Sequence, residues 1–143
     1  MRFKVKKALY PHGTNNDSWQ PMNLIVDDDI PCTEINRHLV LLQISKEKPL
    51  TTSVYYLCIY LNYLDEHGLE VMDVKMSDIQ DFLQELYIDS LPYAGKGAPC
   101  SYSAIQDYIE VLSKLYDNLS LRGYKMDESL YTRSQLMMLA PTK

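Results

Sequence analysis

The sequence has few of the residue groupings that mark a disulfide framework, a metal centre or a membrane span. Its three cysteines are an odd number without CxxC spacing, so we expect reduced thiols and a cytoplasmic protein. The three histidines, His12, His38 and His67, are not in His-x-x-x-His or His-Glu-x-x-His spacing. No apolar run reaches the roughly 18 residues of a membrane span, and the N-terminus lacks the apolar core of a signal peptide. The sequence therefore predicts no metal, no cofactor and no membrane partner.

Signatures of catalysis are also missing. The stretch Gly95-Lys96-Gly97 is too short for a phosphate-binding loop and follows no predicted strand. No serine, cysteine or tyrosine has a basic partner at a recognisable spacing. We therefore expect this chain to have no catalytic residue and no small-molecule substrate.

The net charge of −5 is unevenly distributed along the chain. Residues 1–26 carry four basic residues against one acidic residue, Asp17, whereas residues 27–143 carry ten basic against eighteen acidic residues. An acidic body with a basic arm is not typical of a nucleic-acid-binding protein on charge alone. The charge balance by itself favours a module that binds other proteins.

The longest helical pattern covers residues 101–123. Its apolar residues recur at three- and four-residue steps, which places them on one face of a helix. Ser103 and Gln106 fit a capping box at its start, and Gly123 can adopt the left-handed conformation at its end. At about 1.5 Å per residue this helix spans roughly 30 Å, so we expect the other helices to pack on its apolar face.

Three further helices are predicted before it, over about residues 32–45, over 51–66, and from a capping box of Ser77 and Gln80 onward. The twelve tyrosines of the chain fit either an interaction surface or packing at the edge of a core, and packing is favoured. The tail after residue 124 has weak capping signals. The predicted fold class is all-α, a small four-helix bundle.

Residues 1–29 lack this helical pattern. Two short apolar runs flank the turn-rich stretch PHGTNNDSWQP, and a short N-terminal β-hairpin and a disordered tail remain equal alternatives. Asp27, Asp28 and Asp29 follow directly. Because adjacent side chains diverge, we interpret these carboxylates as acids favoured at the start of the next helix and do not assign them to a metal site.

The helical segments resemble, in order and spacing, the core-binding domain of tyrosine recombinases of the phage-integrase type. LTTSVYYLCIYLNYLDEHG is similar to the first conserved helix of that family, in which a threonine opens the helix and a tyrosine follows four residues later. VKMSDIQDFLQELY resembles the third segment, and SAIQDYIEVLSKLYDNLSLRG resembles the fourth helix. The resemblance covers about residues 22–126.

The resemblance implies a SAM-like helical domain that clamps one side of a recombination site on double-stranded DNA, together with other recombinase protomers. It implies an N-terminal arm over residues 1–29, the core-binding domain over 30–126, and a linker over 127–143 toward an absent catalytic domain. The His-x-x-Arg signature of that catalytic domain is not found here. We therefore expect a DNA-binding part of a tyrosine site-specific recombinase, without catalytic activity of its own.

The resemblance also implies which residues face DNA, namely hydroxyls, backbone donors and lysines around the starts of two helices. Two positions depart from the family pattern, since Ala104 replaces a usual threonine and Ser113 a common basic residue. The alternative function is a helical protein–protein interaction module, and the arrangement of the lysines separates the two. The candidate DNA-binding residues are Lys46, Lys48, Thr51, Thr52, Ser53, Tyr56, Lys96, Ser101, Tyr102, Ser103 and Lys114.

Overall fold

A computed structural model describes residues 2–11, 19–89, 99–124 and 132–141. The chain divides into two compact units, residues 1–58 and 59–143. The predicted all-α fold class is wrong, because a three-stranded antiparallel sheet accompanies five α-helices in the described residues. The strands are β1 (Phe3–Pro11), β2 (Trp19–Asp27) and β3 (Ile30–Pro31), and the helices are α1 (Thr33–Lys46), α2 (Thr52–Glu66), α3 (Met76–Ile88), α4 (Tyr102–Leu121) and α5 (Arg133–Met138).

The sheet of the first unit has the strand order β1-β2-β3. β1 and β2 pair without interruption from Phe3 opposite Asp27 to Pro11 opposite Trp19. Of the two alternatives for this arm the hairpin is confirmed, and its second strand buries Met22, Ile25 and Val26. A lone hairpin is marginal in water, so this burial explains why the two strands pair stably.

The three consecutive aspartates form a turn and not a helix start. Asp27 ends β2 and pairs with Ile30, while Asp28 and Asp29 have φ values of 48° and 69°. Positive φ at both central residues is the requirement of a type I′ hairpin turn, and aspartate tolerates the left-handed region better than most residues. The interpretation of these acids as helix-start residues is therefore wrong.

Two buried carboxamides on α1 bind the backbone of β2. Asn36 accepts a hydrogen bond from the Ile25 N–H and donates to the Ile25 carbonyl, both at 2.9 Å. Gln43, seven residues later and therefore on the same helix face, accepts from the Asn23 N–H and donates to the Asn23 carbonyl, both at 3.0 Å. Each amide group thus replaces one peptide of a neighbouring strand along the edge of β2 opposite β1.

Gln43 is fully buried, and its side chain makes two further hydrogen bonds. Its oxygen accepts from the Leu50 N–H at 2.9 Å, and its nitrogen donates to the Leu39 carbonyl at 3.1 Å. Gln43 lies on the apolar face of α1, four residues after Leu39. Of the residues expected to be buried on this face, Ile35 and Leu39 are buried and Leu42 is half-buried. A buried polar group is tolerated only when it is hydrogen-bonded, and this one is satisfied fully.

We expect Gln43→Met, which keeps the side-chain volume, to lower the free energy of unfolding by roughly 2–5 kcal/mol, because it leaves buried backbone groups of Asn23 and Leu50 without partners. Urea denaturation measures the change. Gln106→Met, at an exposed position of α4, is the matched control and should change stability by less than about 0.5 kcal/mol. Equal effects of the two substitutions would contradict this assignment.

The predicted helices are confirmed, but their start signals differ. The N-cap of α4 is Ser101, whose hydroxyl accepts from the Ala104 N–H at 3.1 Å, so Ser103 lies inside the helix. α3 begins at Met76, where the Lys75 N–H donates to the Asp78 carboxylate at 2.9 Å, and the predicted capping box at Ser77 is wrong. In α4 the hydroxyl of Ser101, two residues before Ser103, takes the cap, whereas in α3 the Asp78 carboxylate accepts the N–H of the N-cap residue Lys75. Gly123 has the expected positive φ of 88°.

The tail contains a fifth helix that the sequence pattern did not predict. α5 starts at a capping box in which the hydroxyl of Thr132 accepts from the Gln135 N–H at 3.3 Å. Leu136 is fully buried, and Arg133 forms an ion pair with Glu110 of α4 at 2.9 Å. With six residues, α5 is too short to show helical periodicity in the sequence.

Tyrosines fill much of the core of the second unit. Tyr60, Tyr63, Tyr108 and Tyr116 are at most 2% exposed, and the rings of Tyr60, Tyr63 and Tyr108 surround Phe82 with centroids 4.9–5.7 Å away. Of the nine tyrosines whose side chains the structure describes, these four are core residues, four more are half-buried and Tyr55 is exposed. All six residues from Ile59 to Leu64, the first of this unit, are buried.

The hydroxyls of Tyr60 and Tyr116 form a directed chain. The Tyr116 hydroxyl donates to the Val71 carbonyl at 3.0 Å and lies 2.6 Å from the Tyr60 hydroxyl. A carbonyl only accepts, so the single proton of Tyr116 is committed to Val71, and Tyr60 is the donor between the two tyrosines.

We expect Tyr116→Phe to destabilise the protein more than Tyr60→Phe, by roughly 1–2 kcal/mol. The first substitution leaves both the Val71 carbonyl and the Tyr60 hydroxyl without this partner, whereas the second leaves the bond to Val71 in place. Thermal or chemical denaturation of the two variants measures the order. A larger loss with Tyr60→Phe would overturn the proposed direction of the chain.

Candidate nucleic-acid interface

Six of the predicted DNA-contacting residues lie in one stretch of the first unit, which we call the α1–α2 segment (residues 46–56). Lys46 ends α1, the backbone then turns at Glu47 with φ 55°, and Lys48 follows. Both lysines are exposed, so their ammonium groups are available to an anion in solvent. The other four members are Thr51 and Thr52, which are exposed, and Ser53 and Tyr56, which are half-buried.

Buried groups hold the backbone of the α1–α2 segment. The Lys48 N–H donates to the Gln43 carbonyl at 3.3 Å, and the Leu50 N–H donates to the Gln43 side chain at 2.9 Å. The Asn23 amide donates to the Leu50 carbonyl at 2.8 Å. The residues on either side of Leu50 are therefore fixed to β2, which reduces the conformational entropy that a ligand would otherwise have to remove.

The start of α2 adds backbone donors to this segment. The Thr51 carbonyl accepts the Tyr55 N–H at 3.0 Å, so the helical bonding begins at Thr51. The first N–H groups of a helix have no partner within the helix and carry the positive end of its dipole. Lysines followed by such a helix start are a suitable arrangement for phosphate oxygens.

Three candidates lie in the second unit at the start of α4. Ser101 caps the helix through its own hydroxyl, and Ser103 is exposed one residue into the helix. Tyr102 is half-buried, and its ring meets that of Tyr87 edge-on at 6.1 Å. Two exposed serine hydroxyls and one half-buried phenol thus remain together here, without a described lysine beside them.

The structure does not bring Lys114 to the start of α4. It lies eleven residues beyond Ser103, roughly 16 Å along the helix axis, and its ammonium group is 3.7 Å from Glu110. Glu110 also binds Arg133. Ser113 is buried and donates to the Glu110 carbonyl at 2.9 Å, so it cannot contact a phosphate either. Lys96 lies outside the described residues.

Sequence reasoning missed the two residues that organise the α1–α2 segment, Asn23 and Gln43. No sequence signal separated them from other polar residues, since Gln43 reads as a break in an apolar stripe and Asn23 as a polar position in a strand. Their role depends on the pairing of distant segments, which the sequence alone does not display.

Two groups near the sheet have shifted pKa values. A hydrogen bond from Arg2 to Asp27 lowers the pKa of the Asp27 carboxyl, with guanidinium-to-carboxylate distances of 2.8 and 2.9 Å. Burial raises the pKa of the Cys32 thiol, and the charge of Asp27 adds to that effect. A thiol with a raised pKa stays protonated at neutral pH and is a poor nucleophile.

No family model, curated protein or solved structure matches this chain. Across residues 2–11, 19–89, 99–124 and 132–141, no three His, Cys, Asp or Glu side chains group as metal ligands would. None of the described helices is long and apolar enough to cross a membrane. The candidate interface is therefore supported by its geometry and not by a related protein.

We expect Arg2→Gln to raise the pKa of Asp27 toward the ordinary value of an aspartate, because the hydrogen bond that favours the carboxylate is lost. Since the folded-state pKa is the lower one, the pair stabilises the sheet above the unfolded-state pKa, and this contribution disappears as the pH falls through the folded-state value. An NMR titration of the Asp27 carboxyl measures the shift. Lys4→Gln, which also removes a positive charge from the arm, is the control, and equal shifts in both variants would refute the assignment to Arg2.

Proposed function

We propose that this chain is a DNA-binding part of a tyrosine site-specific recombinase, which holds the recombination site during DNA integration or recombination and has no catalytic activity of its own. The observation that supports it most strongly is the α1–α2 segment, in which two exposed lysines precede a helix start on a backbone fixed by Gln43 and Asn23. Cytoplasmic location and assembly with other protomers on DNA belong to the same proposal.

The proposed contacts are of the kind that position a protein on the DNA backbone. Ammonium groups of Lys46 and Lys48 neutralise phosphates and release counterions, while the hydroxyls of Thr51 and Thr52 and the helix N–H groups donate hydrogen bonds. Such contacts do not read the base sequence. The hydroxyls at the start of α4, Ser101 and Ser103, are proposed as further contacts.

The distribution of charge between the two units favours DNA binding by the first unit, which contains the α1–α2 segment. Residues 1–58 carry seven basic against six acidic residues, whereas residues 59–143 carry seven basic against thirteen acidic residues. The net charge of −5 thus arises in the second unit, and the α1–α2 segment lies in the unit with a slight positive excess. This division reduces the conflict between the overall charge and a DNA-binding function.

A salt series of duplex binding tests the proposal. We expect Lys46→Ala with Lys48→Ala to flatten the slope of log affinity against log salt by about 1.8, because each lost phosphate contact removes roughly 0.9. Lys75→Ala, an exposed lysine before α3, is the control and should leave the slope unchanged. A slope that the double variant leaves unchanged would refute these contacts.

The second candidate function is a protein-interaction module, which the acidic second unit favours. Its exposed carboxylates include Asp81 of α3 and Asp89, the residue that follows that helix. The same salt series separates the two functions, because a protein-interaction module gives no duplex binding even at low salt. Binding of the wild type at low salt that weakens steeply with added salt supports the DNA-binding function.

A further inference from the structure

The hydrogen-bonding pattern of the sheet shows which peptide groups of β1 face outward. Ile25 and Asn23 direct their N–H and carbonyl groups away from β1, to Asn36 and Gln43. In an antiparallel pair, residues opposite each other share the same hydrogen-bonding state. The partners of Ile25 and Asn23 are Val5 and Lys7, so these two residues direct their own peptide groups away from β2.

β1 is the outer strand of the sheet order β1-β2-β3, and it is nine residues long. Within the described part of the chain, the outward peptide groups of Val5 and Lys7 have no partner. Leu9 continues the row, because it lies opposite Pro21, which has no N–H to give to a ladder. The edge therefore presents alternating donors and acceptors at the spacing of a strand.

The side chains beside this edge have a distinct chemistry on each face of the sheet. Lys4 and Lys6 lie on one face and are exposed. Val5, Lys7 and Leu9 lie on the other, where Val5 is half-buried and Leu9 is 65% exposed. β1 thus carries three lysines and no acid, and its apolar residues Val5 and Leu9 are four residues apart on one face.

We propose that the β1 edge is a docking site for an extended peptide segment in which acidic and apolar residues alternate. Paired with β1, such a segment places its carboxylates beside Lys4 and Lys6 on one face and its apolar side chains beside Val5 and Leu9 on the other. Its backbone completes the donors and acceptors of the edge, as in other cases of strand addition. This site is separate from the α1–α2 segment and does not depend on the DNA-binding proposal.

The same features disfavour other occupants. A second copy of β1 would place lysines against lysines, and like charges opposite each other destabilise a strand pair. Lysines on an edge strand are a common protection against such self-pairing. A nucleic acid would satisfy the ammonium groups but not the row of outward carbonyls, which repel phosphates. Only an acidic strand matches both the charge and the backbone pattern.

The test uses the full chain and an eight-residue peptide of alternating Glu and Val, with a peptide of four Glu followed by four Val as the matched control. We expect the alternating peptide to slow hydrogen exchange of the Val5, Lys7 and Leu9 amides, which face outward in the free protein. The control peptide should give little protection, since it cannot place all its acids on one face. Absence of protection by the alternating peptide would overturn the proposal.

Two variants at Lys7 separate backbone pairing from charge. Both Lys7→Pro and Lys7→Ala remove the ammonium group, but only proline removes the outward N–H, and an outward N–H on an edge strand can be lost without breaking the sheet. We expect Lys7→Pro to weaken peptide binding at least about tenfold more than Lys7→Ala. Circular dichroism confirms that both variants are folded. Equal losses would indicate that the lysines act only as charges, as a nucleic acid would use them, and would contradict strand addition.

Discussion

The hydrogen bonding of two buried carboxamides, Asn36 and Gln43, to the backbone of β2 is the constraint on which the first unit depends. Peptide groups at a sheet edge that lack a partner strand bind water, another chain, or side chains that take the place of a strand. Here α1 supplies the substitute through side chains seven residues apart, and β2 is thereby completed on both edges. The helix is thus attached to the sheet by direction-specific bonds as well as by apolar burial.

The same constraint links the fold to the proposed function. Gln43 also accepts the N–H of Leu50, and Asn23 donates to the Leu50 carbonyl, so the strand, the helix and the α1–α2 segment share one hydrogen-bond network. Lys48 and Thr51 flank this fixed point on opposite sides. A loop held in this way presents its charges at a defined position, which a freely moving loop of the same composition would not do.

The sequence predicted the helices well and the fold class badly. Repeating apolar residues identify α1 to α4 because each covers at least three turns, whereas α5 is too short for that signal. The sequence did not decide between a hairpin and a disordered tail, because β2 is buried on parts of both faces. Its buried residues Met22, Ile25 and Val26 therefore do not follow a simple alternation. The candidate site was predicted as residue types at helix starts, but its organisation was not, since it depends on contacts of Asn23 and Gln43 across 20 to 27 positions of sequence.

Titration of the full chain with a short duplex at low salt, followed through backbone amide shifts, tests DNA binding by the α1–α2 segment. We expect the largest shifts on residues 46–53, with smaller shifts around Ser101 and Ser103. Shifts confined to other surfaces, or no shifts at duplex concentrations that saturate a control DNA-binding protein, would contradict it. The measurement reports the location of the contact as well as its existence, so it separates a DNA-binding α1–α2 segment from DNA contact elsewhere on the chain.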